Sequence, residues 1–166
     1  MLEVPPHIIA RPKADDFWLE VAKAFSLRST CIVRRFGAVL VKNNILVGAG
    51  YNGSMRGSIN CSDVGFCRKR ALGGKEYEYD LCMSVHAEEN TILNSNVDDR
   101  IGATLYITSL TAEGITAVSE PCRRCKRLIV NSQIGRVVIK AIRSGVISYN
   151  PNDWVREDIL WHREAK

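Results

Sequence analysis

Thr104-Leu105-Tyr106-Ile107-Thr108, then Pro121-Cys122-Arg123-Arg124-Cys125 running on to Asn131, then Arg136-Val137-Val138-Ile139-Lys140, is the stretch that decides the fold. Two short β-branched and aromatic runs flank a longer segment that begins with a proline and two cysteines three apart. This reads as strand, helix and strand. A parallel pairing with a right-handed crossover is the expected connection. Strands this apolar call for helices on both faces of the sheet, an α/β arrangement.

Upstream, Asp15 or Asp16 can cap a first helix whose apolar stripe would be Phe17, Val21 and Phe25. Residues 36–41 and 45–49 read as strands joined by Asn43-Asn44, residues that accept the positive φ of a tight hairpin. A second helix is predicted over about 85–93, and Asp153 can cap a last one running to Trp161. Between 53 and 84 lies a long irregular stretch bearing Gly57, Gly65, Gly73 and Gly74. A structureless loop of that length is unusual in a compact domain and points to function or a metal staple. No internal repeat is present, and 166 residues suit a single domain over 1–166.

The chemistry lies in His86-Ala87-Glu88 and in the cysteine pair. One imidazole and two thiolates give zinc three protein ligands and leave the fourth position for water, as a catalytic zinc requires. Cys122 and Cys125 fall on one helix face, in a first turn whose free N–H groups and dipole favour thiolates. Pro121 sits where a helical N–H has no partner anyway. His86, opening the second helix, would meet them at the carboxyl end of the sheet. Such a zinc brings the pKa of a water to about 7. Glu88, two residues past the histidine, would then serve as the carrier of that water's proton. Taken singly, Cys-x-x-Cys also occurs in redox sites and zinc ribbons, and a lone histidine is usually a core residue. His7 and His162 have no such company.

The formal charge is +5, and six thiolates on two zinc ions would bring it to +3. That excess suits a nucleotide substrate, whereas a nucleic-acid groove usually shows clustered Lys and Arg. The one cluster, Arg123, Arg124, Lys126 and Arg127, also reads as a solvated helix face. Residues 1–13 lack the pattern of a secretory signal, and no apolar run approaches the roughly 20 residues of a membrane helix. A cytoplasmic setting, with its six cysteines as thiols or metal ligands, is expected.

The His-x-Glu…Pro-Cys-x-x-Cys pattern resembles the signature of zinc-dependent nucleobase deaminases. Over about 14–140 the chain resembles the deoxycytidylate deaminase family more closely. The likeness runs through Leu27-Arg28-Ser29-Thr30-Cys31, Gly37-Ala38-Val39, Gly50-Tyr51-Asn52-Gly53, Asn60-Cys61, Gly65, Cys67 and the run 82–93. The resemblance implies a three-layer α/β/α sandwich with a mixed central sheet (the cytidine deaminase-like fold) and conversion of dCMP to dUMP and ammonia. It also implies a homo-oligomer, hexamer or dimer. It places Asn52 against the substrate and makes Tyr51, Gly53 and Arg56 candidates for binding the activator dCTP, opposed by dTTP. Related deaminases carry a second zinc near Cys31, so Cys31, Cys61, Cys67 and Cys82 are candidate ligands of a structural zinc. Their spacing matches no standard knuckle; buried apolar packing is the alternative, and Cys82 could instead face the catalytic zinc.

Two departures keep other substrates in play. The segment 108–120 is longer than that family's usual connection, and Glu120 before Pro121 resembles the Glu-Pro-Cys of tRNA adenosine deaminases, as does Ile134-Gly135-Arg136-Val137-Val138. A tRNA adenosine deaminase, or a deaminase of a free or modified cytosine nucleoside, is therefore the runner-up. A zinc-stabilised binding module with structural Cys122 and Cys125 is the non-enzyme alternative.

Overall fold

The structure is a computed structural model and describes residues 10–75, 78–142 and 145–164. Its first half comprises α1 (Ala14–Ser26), β1 (Arg34–Lys42), β2 (Ile45–Tyr51), β3 (Gly53–Ser54), α2 (Cys61–Val64), α3 (Arg68–Ala71), a 3₁₀ turn (Tyr79–Leu81) and β4 (Ser84–Val85). There follow α4 (Ala87–Leu93), α5 (Val97–Arg100), β5 (Thr104–Thr111), β6 (Thr116–Ala117), α6 (Arg123–Asn131), β7 (Arg136–Ala141), β8 (Gly145–Tyr149) and α7 (Pro151–Glu164). His7 lies outside the described residues. Among them no helix is long and apolar enough to cross a membrane.

The main sheet runs β2-β1-β5-β7-β8, with β6 added to β5. Asn43 and Asn44 take φ of 52° and 60°, which closes the β1–β2 hairpin as their side chains predict. β5 and β7 pair in parallel around α6, as expected of the 104–140 unit. Parallel pairing stops there. β1 is antiparallel to both β2 and β5, so the crossover through α4 joins two strands that point the same way from either side of β1. Both helices therefore start at the carboxyl end of the strands before them.

Period-2 alternation divides the core in two. Ala38, Leu40, Leu105, Ile107, Val137 and Ile139 face α4, α6 and Trp154 of α7. Val39, Val41, Tyr106 and Val138 face Trp18, Leu19 and Ala22 of α1. Helices thus cover both faces of a mixed sheet, the three-layer sandwich. Two glycines permit that closeness. A Cβ at Gly37 would run into the backbone of Ala22 and Ser26 in α1, and one at Gly50 would come within 2.6 Å of the Thr91 nitrogen in α4.

Some local expectations change. α1 buries Trp18, Leu19, Ala22 and Ser26 rather than the Phe17 stripe, and Phe17 is 47% exposed. The small side chains at 22 and 26 are what let the helix reach Gly37, while Val21 and Phe25 pack at its border. Its N-cap is Lys13, not Asp15 or Asp16. Asp15 instead accepts two bonds from the Arg136 guanidinium, at 2.9 and 2.7 Å, plus one from the Tyr106 hydroxyl. Likewise α7 opens at Pro151, leaving Asp153 in its first turn, and continues to Glu164. The stretch 53–84 holds three short helical turns, none of which buries a residue. The longer connection 108–120 is a hairpin. β7 pairs with 104–107 of β5, and β6 takes up the ladder at Ser109 and Leu110.

Candidate active site and metal centre

His86 and Cys122 are the N-cap residues of α4 and α6, so both ligands sit where helical N–H groups are unpaired. The Cys122 sulfur accepts the Cys125 N–H at 3.5 Å. His86 Nδ1 lies 3.6 Å from Cys122 Sγ and 3.3 Å from Cys125 Sγ. Among the described residues, His86, Cys122 and Cys125 form the cluster whose donor atoms all fall within 4.8 Å of one another. Zn–N and Zn–S bonds of ~2.0–2.3 Å place neighbouring donors of a tetrahedral shell about 3.5 Å apart, so the trio fits zinc in spacing and in ligand chemistry.

Electrostatics favour a thiolate at Cys122. A hydrogen bond from Cys125, with His86 beside it, holds the Cys122 thiol down to about 3, so it is a thiolate. Contact with Cys122, together with burial, pushes Cys125 up. Glu88 is buried, at 4% exposure, on the first turn of α4. Burial raises its carboxyl above the usual range, which suits a group that both takes up and gives back a proton.

These groups open into a cavity of about 490 Å³ walled by Phe36, Asn52, Tyr79, His86, Glu88 and Cys122. Its basic wall residues are Arg34, Lys69 and Arg70. Glu120 also lines it, held by Lys126 at 2.7 Å. The hairpin 108–120 is what delivers Glu120 and Pro121. Ser119 is fully buried and donates to the carbonyl oxygens of Ile107 at 3.0 Å and Lys140 at 3.4 Å, pinning the returning chain across β5 and β7.

Asn52 lies on the cavity wall, with three of its amide's bonds already taken. Its oxygen accepts from Ser29 Oγ at 2.6 Å and the Phe36 N–H at 2.7 Å, and its nitrogen donates to the Arg34 carbonyl at 2.9 Å. The second amide hydrogen is left for a ligand. Tyr51, Gly53 and Arg56 are not brought into this cavity. The Tyr51 carbonyl accepts from Asn90, Gly53 packs on Thr30, and Arg56 reaches Asn94 at 3.3 Å.

Cys31, Cys61, Cys67 and Cys82 line a second, much smaller cavity of about 20 Å³, and Cys31, Cys67 and Cys82 border the larger one as well. Burial, together with the charges of the other three sulfurs, pushes the Cys61 thiol up. All six cysteines are unpaired. The site residue missed in the sequence is Tyr79, whose ring meets His86 edge-on at 5.5 Å and whose hydroxyl, near Cys122, is pushed up to about 12 chiefly by burial. No periodicity or motif in the chain singles it out.

A trio that fits zinc, beside a buried carboxyl at the carboxyl end of this mixed sheet, is the arrangement of a hydrolytic deaminase of the zinc-dependent class. The chain belongs to the cytidine and deoxycytidylate deaminase family, whose zinc-binding region matches residues 12–141. The deoxycytidylate deaminase of Mycobacterium phage D29 is 38% identical over 136 residues, 78% of this chain and 96% of that protein. Deoxycytidylate deaminase of Schizosaccharomyces pombe is 35% identical over 130 residues, 77% of this chain and 37% of the longer yeast protein. In fold, the chain resembles the dCMP deaminase of cyanophage S-TIM5, solved with dCMP and dUMP. The TM-score there is 0.52 at 20% identity, covering 79% of this chain and 83% of that one.

Proposed function

We propose that this protein deaminates dCMP, releasing dUMP and ammonia, with zinc held by His86, Cys122 and Cys125. The buried Glu88 carboxyl beside the donor trio is the observation that carries the reading. Zinc bound there supplies Lewis acidity, which brings the pKa of a water to about 7. Glu88 accepts that water's proton and delivers it to the ring nitrogen of cytosine. It then takes the remaining hydroxyl proton of the added water and hands it to the amine as the C–N bond breaks, so oxygen from water replaces nitrogen on the ring. Asn52 orients the nucleotide through its remaining N–H. Arg34, Lys69 and Arg70 offer positive charge to a 5′-phosphate. The relatives named deoxycytidylate deaminases support that choice of substrate.

A structural zinc bound by Cys31, Cys61, Cys67 and Cys82 belongs to the same proposal. It is supported by four sulfurs around one small cavity, three of them in a segment without buried side chains in its helical turns. So do a homo-oligomeric state, dCTP and dTTP acting near Tyr51, Gly53 and Arg56, and a cytoplasmic setting that keeps six thiols reduced. Following ammonia release from dCMP, deoxycytidine, CMP and an adenosine stem-loop tests the substrate. dCMP is expected to be used far faster than the others. Equal kcat/KM for dCMP and deoxycytidine would make this a nucleoside deaminase, and turnover of the stem-loop a tRNA enzyme.

A further inference from the structure

Glu89 follows the catalytic carboxyl but points elsewhere. Its Oε2 accepts the backbone N–H of His86 at 2.8 Å. The same oxygen accepts Arg124 Nη2 at 2.9 Å. Arg124 stands between Cys122 and Cys125 in the first turn of α6. One carboxylate oxygen therefore ties the backbone of one zinc ligand to the turn that carries the other two. The Arg124 guanidinium also lies 5.6 Å over the ring of Tyr79, which packs edge-on against the His86 imidazole at 5.5 Å. His86 is thus held from its backbone through Glu89 and along its ring through Tyr79, and Arg124 braces both.

We infer that Glu89 and Arg124 are positioning residues: their shared oxygen sets the distance between the helix starts of α4 and α6, and so the pre-formed shape of the zinc site. This rests on the reading of His86, Cys122 and Cys125 as zinc ligands. Neither side chain lines the substrate cavity, so neither touches the reacting atoms. At 20% and 44% side-chain exposure the pair is too wet to add much to global stability. Its effect is local, on how long the three donors stay together. Outer-shell partners of metal ligands typically govern affinity by about 10- to 100-fold, and a partly exposed pair belongs at the lower end.

The test is zinc release from purified holoenzyme to a chromogenic chelator, with the absorption spectrum of the cobalt-substituted protein as a second readout. Glu89→Ala should release zinc about tenfold faster and perturb the cobalt bands. Arg124→Gln, on an exposed helix face that tolerates the change, should do so to a smaller extent, and Arg124→Lys should recover part of the loss. Because both act through one oxygen, the double variant should release zinc no faster than Glu89→Ala. Release at the parent rate in Glu89→Ala and Arg124→Gln would overturn the inference, as would strictly additive effects in the double variant. If instead parent protein and Cys122→Ser hold equal zinc, it is the ligand assignment itself that fails.

Discussion

The two groups of side chains proposed to hold zinc are built in opposite ways. His86, Cys122 and Cys125 stand on two helix starts fixed by a packed sheet, and their donors already fall within 4.8 Å. Cys61, Cys67 and Cys82 stand in or beside short turns with no buried helical residue, and with Cys31 from the approach to β1 they surround a space of about 20 Å³. The first group is shaped by the fold, whereas the second is where a metal would shape the chain. A ligand that finds its site preformed changes chemistry; one that must assemble its site changes stability.

Breaking each group should therefore give different phenotypes, and the largest effect belongs to the loop. Structural zinc contributes roughly 10–16 kcal/mol in small metal-folded peptides, comparable with a domain's whole stability of about 5–15 kcal/mol. Cys67→Ser should lower the melting temperature and open 53–84 to proteolysis, with bound zinc falling from two ions per chain to one. Cys122→Ser should also lose one zinc, but should melt near the parent and have no activity. Cys67→Ser protein as stable as the parent, with one zinc in each, would make the loop cysteines ordinary packing.

Next in size is Glu88→Gln, which should keep fold and zinc while turnover falls by about 10²–10⁴, the usual contribution of a general acid–base group. Normal turnover at normal zinc content would remove Glu88 from the reaction. Arg70→Gln sharpens the comparison from the loop side, because α3 follows directly on Cys67. Losing a charge-assisted bond to phosphate should raise KM for dCMP about tenfold and leave deoxycytidine unaffected. A parallel rise for both substrates would mean that the loop had moved rather than that phosphate had lost a partner.

The smallest effect lies far from either group. Hydrogen bonds from Arg136 hold the Asp15 carboxyl below its usual range. A carboxylate with a lowered folded pKa stabilises above its unfolded value near 3.9 and loses that contribution as pH falls through the folded one. With Arg136 41% exposed, solvent screening limits the gain to about 1 kcal/mol. Asp15→Asn should then lower the melting temperature by about 2–4 °C at pH 7, a difference that shrinks below pH 4. An unchanged difference down to pH 2 would show that the loss was steric.

The parts of the site legible in the sequence are those that local chemistry forces. Pro121 and the cysteine spacing mark a helix start, His86-Ala87-Glu88 opens another, and Asn43-Asn44 makes the hairpin without help from distant residues. What escaped depends on which apolar surface wins a contest in space. Phe17 and Trp18 are both apolar, and only the narrow approach to Gly37 turns α1 onto its small residues. The Thr-, Ala- and Gly-bearing segment 108–120 looks like a loop until β7 leaves β5 unpaired beyond Ile107. Tyr79 carries no local mark because its partners, His86, Arg124 and Cys122, come from two other helices.

The arrangement along β5 has a consequence for how the enzyme can tolerate change. Where β7 ends, β5 would present bare N–H and carbonyl groups, an invitation to another chain's strand. β6 fills that place, so the hairpin guards the sheet against edge-to-edge association beside the catalytic end. Its turn carries Gly114 at φ 84° with nothing within 4 Å of a side chain built there, while Ser119 anchors the return. Extra residues or a reporter peptide can be spliced at that tip without shifting Pro121, which makes it the natural handle for immobilising the enzyme in working order.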